Sequence, residues 1–166
     1  MQNQIDSGPK VSVEQVSRQA GAASHLWVIC WQVQNLSERR IELLAALLPH
    51  SQFRCGEIEL APPPEILAGE SASLELLVEC RESPGSVVEN AFLILRVFWS
   101  GESWRILARL RVLFDEQGAP RTITEVVTTQ PVGFSIRGRD TTELEKESNS
   151  MPLSEKDRYI LQRLRG

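Results

Sequence analysis

Pro49-His50-Ser51-Gln52-Phe53-Arg54-Cys55 places an imidazole within a few residues of a thiol, the pairing that turns a cysteine into a nucleophile when a third group orients the base. No orienting group or oxyanion hole is legible nearby, so the expected state is a loop histidine and a half-buried thiol. His25 is the other histidine, and Cys30, Cys55 and Cys80 are scattered without CxxC spacing. A metal centre needs three or four ligands at recognisable spacing, and none is expected here. Glu57 with Glu59, and Asp115 with Glu116, fall where turns and solvent-facing strand positions usually carry charge, which argues against an acid/base pair. Gly133 and Gly138 lack the strand-loop-helix setting of a phosphate loop. The chain therefore reads as a non-enzyme with no cofactor.

The basic residues that share a strand pattern are more telling. Ser100-Gly101-Glu102-Ser103 reads as a turn between two apolar runs in the hairpin Ala91 to Phe114. Pairing Trp99 with Trp104 sets Val97 against Ile106, Leu95 against Ala108, Leu93 against Leu110 and Ala91 against Val112, a face that must be core. The opposite face carries Phe92, Ile94, Arg96 and Phe98 on one strand and Arg105, Leu107, Arg109 and Arg111 on the other. One reading is a solvated face neutralised by Glu75 and Glu79 of a neighbouring strand. The other is a platform in which guanidinium groups stack over Phe92 and Phe98 and receive an acidic or aromatic partner.

The elements that hold this hairpin follow from alternation and turn residues. Val11, Val13 and Val16 suggest a first strand after a flexible start at residues 1–10. From His25 to Gln34, Trp27, Ile29, Trp31 and Val33 share one face. Arg40 to Leu48 fits a helix or a strand and is read as a strand, and Phe53 to Leu60 as a further one, before Pro62 to Pro64 force an extended connection. Ala72, Leu74, Leu76, Val78 and Cys80 then face inward, and a Thr/Val-rich strand runs from Thr122 to Thr129. Residues 137–153 are a polar linker. In the segment 154–166, Ser154 with Asp157 makes a capping pair ahead of the apolar cluster Tyr159, Ile160, Leu161 and Leu164, a short amphipathic helix with basic residues toward its end.

The 166 residues carry a net charge of -4. It divides as 11 basic against 16 acidic residues over 1–136, then 7 against 6 over 137–166. An acidic globular part argues against nucleic acid. No apolar run is long enough to span a membrane, and the odd cysteine count with no signal-like start points to a reducing cytoplasm. Asn35-Leu36-Ser37 matches a glycosylation acceptor and is discounted on the same ground.

Val28 to Asn35, a strand ending in a turn Asn, and Leu67-Ala68-Gly69-Glu70-Ser71-Ala72-Ser73-Leu74 resemble the immunoglobulin-like accessory domains of bacterial proteins. The resemblance implies a two-sheet sandwich of seven or eight strands over 11–136, followed by the tethered helix, and a binding or scaffolding role in general terms. The inter-sheet disulfide of antibody domains is not expected, because Cys30 and Cys80 point to opposite sides. The function expected is protein–protein interaction through Phe92, Arg96, Phe98, Arg105, Arg109 and Arg111, through Tyr159, Leu161 and Leu164, or both, with a homodimer as one form. The alternative is a small-ligand-binding or hydrolytic β domain with a pocket near His50 and Cys55.

Overall fold

The computed structural model describes residues 8–133. In chain order the strands are β1 (Val11–Ala20), β2 (Leu26–Asn35), β3 (Ile41–His50), β4 (Phe53–Glu59), β5 (Glu65–Ile66), β6 (Ser71–Cys80), β7 (Val87–Trp99), β8 (Glu102–Phe114) and β9 (Pro120–Pro131). The all-β expectation holds, and Arg40 to Leu48, open to either reading in sequence, lies in strand. The expected linker and the C-terminal helix with Tyr159, Leu161 and Leu164 lie outside the described residues.

Instead of two separate sheets, hydrogen bonds join the strands in one antiparallel path, β1-β2-β6-β4-β3-β7-β8-β9, with β5 against β3. The thinnest link is β4 to β6, where only Phe53–Cys80 and Arg54–Glu79 pair. The path bends back until its two edges, β1 and β9, face each other. They are bridged by side chains: Gln15 Oε1 accepts from the Thr122 amide at 2.7 Å while its Nε2 donates to the Pro120 carbonyl at 3.3 Å. The Gln15 amide thus substitutes for the peptide group of an absent neighbouring strand, satisfying edge groups that would otherwise be unpaired. Thr124 Oγ1 donates to the Val13 carbonyl at 2.7 Å. A bulge between Gln15 and Ser17 turns Val16 out, leaving it 53% exposed.

Alternation fills the interior. Ile29, Trp31 and Val33 from β2 meet Leu74, Leu76 and Val78 from β6, and across the core lie Leu43, Leu48, Leu93, Leu95, Ile106 and Leu110, all buried. Trp31 is fully enclosed and its indole donates to Thr122 Oγ1 at 3.1 Å, so the largest inward ring keeps its polar edge satisfied. Gly8 and Pro9, expected in the loose start, are buried. A Cβ at Gly8 would stand 2.6 Å from Trp104 Cζ3 and 2.9 Å from Thr129 Oγ1, so the chain can cross the ring only without a side chain.

The hairpin register differs from the expected one. Trp99 pairs with Glu102, Val97 with Trp104, Leu95 with Ile106, Leu93 with Ala108 and Ala91 with Leu110. The loop is the two residues Ser100 and Gly101, with φ of 53° and 80°, a double left-handed turn whose twist matches that of the strands and lets the ladder start sooner than a four-residue turn would. The slip is by two residues, so every side chain keeps its face. Trp99 and Trp104 meet diagonally instead, edge to face with centroids 5.8 Å apart.

Candidate functional site

The outward positions of β7 and β8 form one surface, with Phe92 across from Arg109, Ile94 from Leu107, Arg96 from Arg105 and Phe98 from Ser103. β3 extends it by setting Leu47 beside Ile94 and Glu42 beside Phe98. β9 adds Val126 next to Arg109 and Gln130 next to Arg105. The six sheet residues expected from sequence are therefore on one face, with a half-buried apolar row of Leu47, Ile94 and Leu107 between arginines.

The arginines are countered differently from the expectation. Glu79 on β6 is engaged with Arg54 at 3.0 Å and with Arg81, and β6 is separated from β7 by β4 and β3. The carboxylates that serve the face come from strands or bends beside it: Glu57 reaches Arg96 at 2.6 Å, Glu125 stands 3.5 Å from Arg109 and Glu89 is 3.3 Å from Arg111. These pairs are partly exposed and contribute little to stability. Arg109 Nε is buried and lacks a well-directed hydrogen bond despite its nearness to Glu125. Ring contacts among the described residues are Phe53–Phe114 and Trp99–Trp104, and neither Phe92 nor Phe98 takes part.

Arg105 stands apart. It is exposed, lies directly across from Arg96, and has no acidic partner among the described residues. Arg96 is already paired with Glu57, so of the two facing guanidinium groups it is Arg105 that lacks a carboxylate among the described residues. Beside this pair Phe98 is 40% exposed. Phe98 also borders a cleft of about 350 Å³ at the hairpin tip, lined in addition by Arg39, Arg40, Glu42, Ser100 and Gly101. Arg39 Nη1 donates to Ser100 Oγ at 3.2 Å, and Arg40 pairs with Glu65 at 3.3 Å. Sequence reasoning missed this cleft. Its signal was the Arg39-Arg40 doublet just before a strand, which becomes informative only once β3 is known to pair with β7.

In the His50–Cys55 segment the imidazole and the thiol each engage a backbone group and not each other. His50 Nδ1 accepts from the Gln52 amide at 3.0 Å. Cys55 is buried, its thiol donates to the Gly56 carbonyl at 3.3 Å, and burial pushes that thiol up to about 11, far from the thiolate form at neutral pH. Cys80 is pushed up to about 12 by burial and by the Glu79 charge. All three cysteines are free. Among the described residues no group of three or more His, Cys, Asp or Glu side chains converges to hold a metal ion. The chain matches no protein-family model and no curated protein.

Proposed function

We propose that this chain is a non-catalytic, cytoplasmic protein-binding domain that receives its partner on the β7/β8 face through Phe92, Arg96, Phe98, Arg105, Arg109 and Arg111, with Tyr159, Leu161 and Leu164 as a second contact. The observation that carries the reading is Arg105. Arg105 is exposed without an acidic partner among the described residues and stands beside the exposed Phe98, so a partner carboxylate with an apolar neighbour can engage both at once. Aromatic and arginine side chains are also the types that dominate binding energy at protein interfaces. An immunoglobulin-like architecture fits the same role. β2 pairs with β6 and β3 with β7, and the thin β4–β6 link divides the path into a half with β1, β2 and β6 and a half with β3, β4, β7, β8 and β9. The proposed face is the outer surface of the second half.

The test is affinity capture from native cytosol with the full chain as bait, in parallel with Phe98→Ser, Arg105→Glu and, as a control on the other half, Glu75→Lys. A captured protein whose affinity drops about tenfold or more with the first two substitutions and is unchanged by the third supports the reading. Equal capture by all four baits overturns it. Sedimentation of the same proteins reports whether the partner is a second copy.

A further inference from the structure

The sheet stops short of closing at its two edges, β1 and β9, which main-chain pairing reaches from opposite ends of the path without joining. Side chains cross the seam instead, linking Gln15 to Thr122 and Val13 to Thr124. These crossings run in opposite directions along the two strands, so the edges already lie in antiparallel register with their outward main-chain groups facing each other. The Gln15 carboxamide carries a donor and an acceptor on one plane, as a peptide group does. It sits on the β9 edge as a peptide group would, bonded to the Thr122 amide and the Pro120 carbonyl. The chain thus shows which chemistry this edge accepts.

A groove of about 560 Å³ runs over the seam, between Glu14 to Arg18 of β1 and Arg121 to Thr124 of β9. The β9 stretch is roughly 13 Å of edge, the length of a four-residue extended peptide. Val16 and Ile123 are exposed along it. Glu14 and Arg121 are exposed as well and have no ion-pair partner among the described residues. Arg18, by contrast, is held by Asp115 at 3.3 Å and by the Pro120 carbonyl, and so crosses the seam at one end. That short, ended groove suits a short segment better than the ten-residue edge strand of a second copy.

We propose that the seam binds an extended peptide of a partner protein by strand addition to β9, antiparallel, with the peptide taking over the Thr122 amide and the Pro120 carbonyl from Gln15. β1 lines the other side with side chains. An acidic residue of the peptide meets Arg121, a basic residue two positions before it meets Glu14, and both pack against Val16 and Ile123 through their alkyl stems. The surface belongs to other strands than the β7/β8 face, and the inference does not rest on that reading.

The test selects a binder from a random peptide library with the full chain as bait, then measures the synthetic peptide by fluorescence polarisation. The selected peptide should carry the basic and acidic residues two positions apart. Methylating its backbone nitrogens one at a time should weaken binding about tenfold or more at alternate positions and little at those between, because only alternate amides face β9. Gln15→Ala frees the edge and should tighten binding about fivefold, the worth of one ordinary hydrogen bond. Arg121→Glu should weaken it about tenfold, and Phe98→Ser should leave it unchanged. Far-UV circular dichroism checks that each variant keeps its strands, and the methylation pattern is read on the unsubstituted chain, so it decides the matter even where Gln15→Ala fails to fold. Selection of no peptide, binding that tolerates methylation at every position, or a folded Gln15→Ala chain that binds no tighter overturns the proposal. Binding that depends on Phe98 and not on Arg121 also overturns it and leaves the β7/β8 reading in place. A dimer in sedimentation that Arg121→Glu dissociates assigns the seam to a second copy and overturns it too.

Discussion

Replacing Asn35 by Ala should be among the most damaging single changes that touch no large side chain. Asn35 is fully buried at the end of β2. Its Nδ2 donates to the Arg39 carbonyl at 2.8 Å and the Ile66 carbonyl at 2.9 Å, and its Oδ1 accepts from the Ser37 amide at 2.8 Å. One amide therefore ties the β2–β3 turn to β5. Alanine leaves three backbone groups without partners, and an orphaned buried group costs about 1–3 kcal/mol. The Ile66 contact is the buried one, while the other two are partly open to water, so a total of about 3–4 kcal/mol is expected by chemical denaturation, a large fraction of a typical domain's stability. Asn35→Asp supplies the sign test. A carboxylate facing two carbonyl oxygens in a buried site has its pKa raised in the folded state. The variant should therefore be closest to wild type at or below about pH 4, the ordinary carboxylate value, and fall further behind as pH rises. A cost below about 1 kcal/mol for Asn35→Ala, or a pH-independent deficit for Asn35→Asp, would refute the reasoning.

Trp104→Ala should destabilise by about 3–5 kcal/mol in urea denaturation because its ring is buried under Gly8, Trp99→Ala should cost less because its ring is only half-buried, and Arg105→Ala should stay within about 0.5 kcal/mol. The reverse order would mean that the inward and outward sets are exchanged. Thermal melts with and without reductant should coincide, and a thiol reagent at pH 8 should label Cys30, the half-buried one, before Cys55 and Cys80, which should react only on unfolding. Stability should decline as pH falls below the ordinary carboxylate range. Burial acts to raise the Glu79 pKa, but hydrogen bonds from Arg81 and Arg54 outweigh it and hold the carboxyl low, and backbone amides of Ala119 and Gln117 lower Asp115. Both groups then contribute stability above their unfolded values that is lost as pH drops through the folded ones, and a flat profile in acid titration of the melt would contradict this.

What the sequence determined by itself was everything governed by the two-residue period of a strand. The inward sets Ile29, Trp31, Val33 and Leu74, Leu76, Val78, and the outward set from Phe92 to Arg111, follow from alternation alone. Even the mistaken hairpin pairing preserved them, because a slip of two residues cannot exchange faces. The turn that fixes the register was harder to read, since Ser100 takes a left-handed φ that its residue type does not advertise. Tertiary structure alone decided which strands are neighbours. The pairing of β2 with β6 and of β3 with β7, the return of β1 against β9 through the Gln15 amide, and the supply of Glu57, Glu89 and Glu125 to the arginines instead of Glu75 and Glu79 all join residues distant in the chain. Alternation says which way a side chain points and nothing about what stands opposite it; that depends on the order in which the sheet closes, and so do the isolation of Arg105 and the cleft beside Phe98.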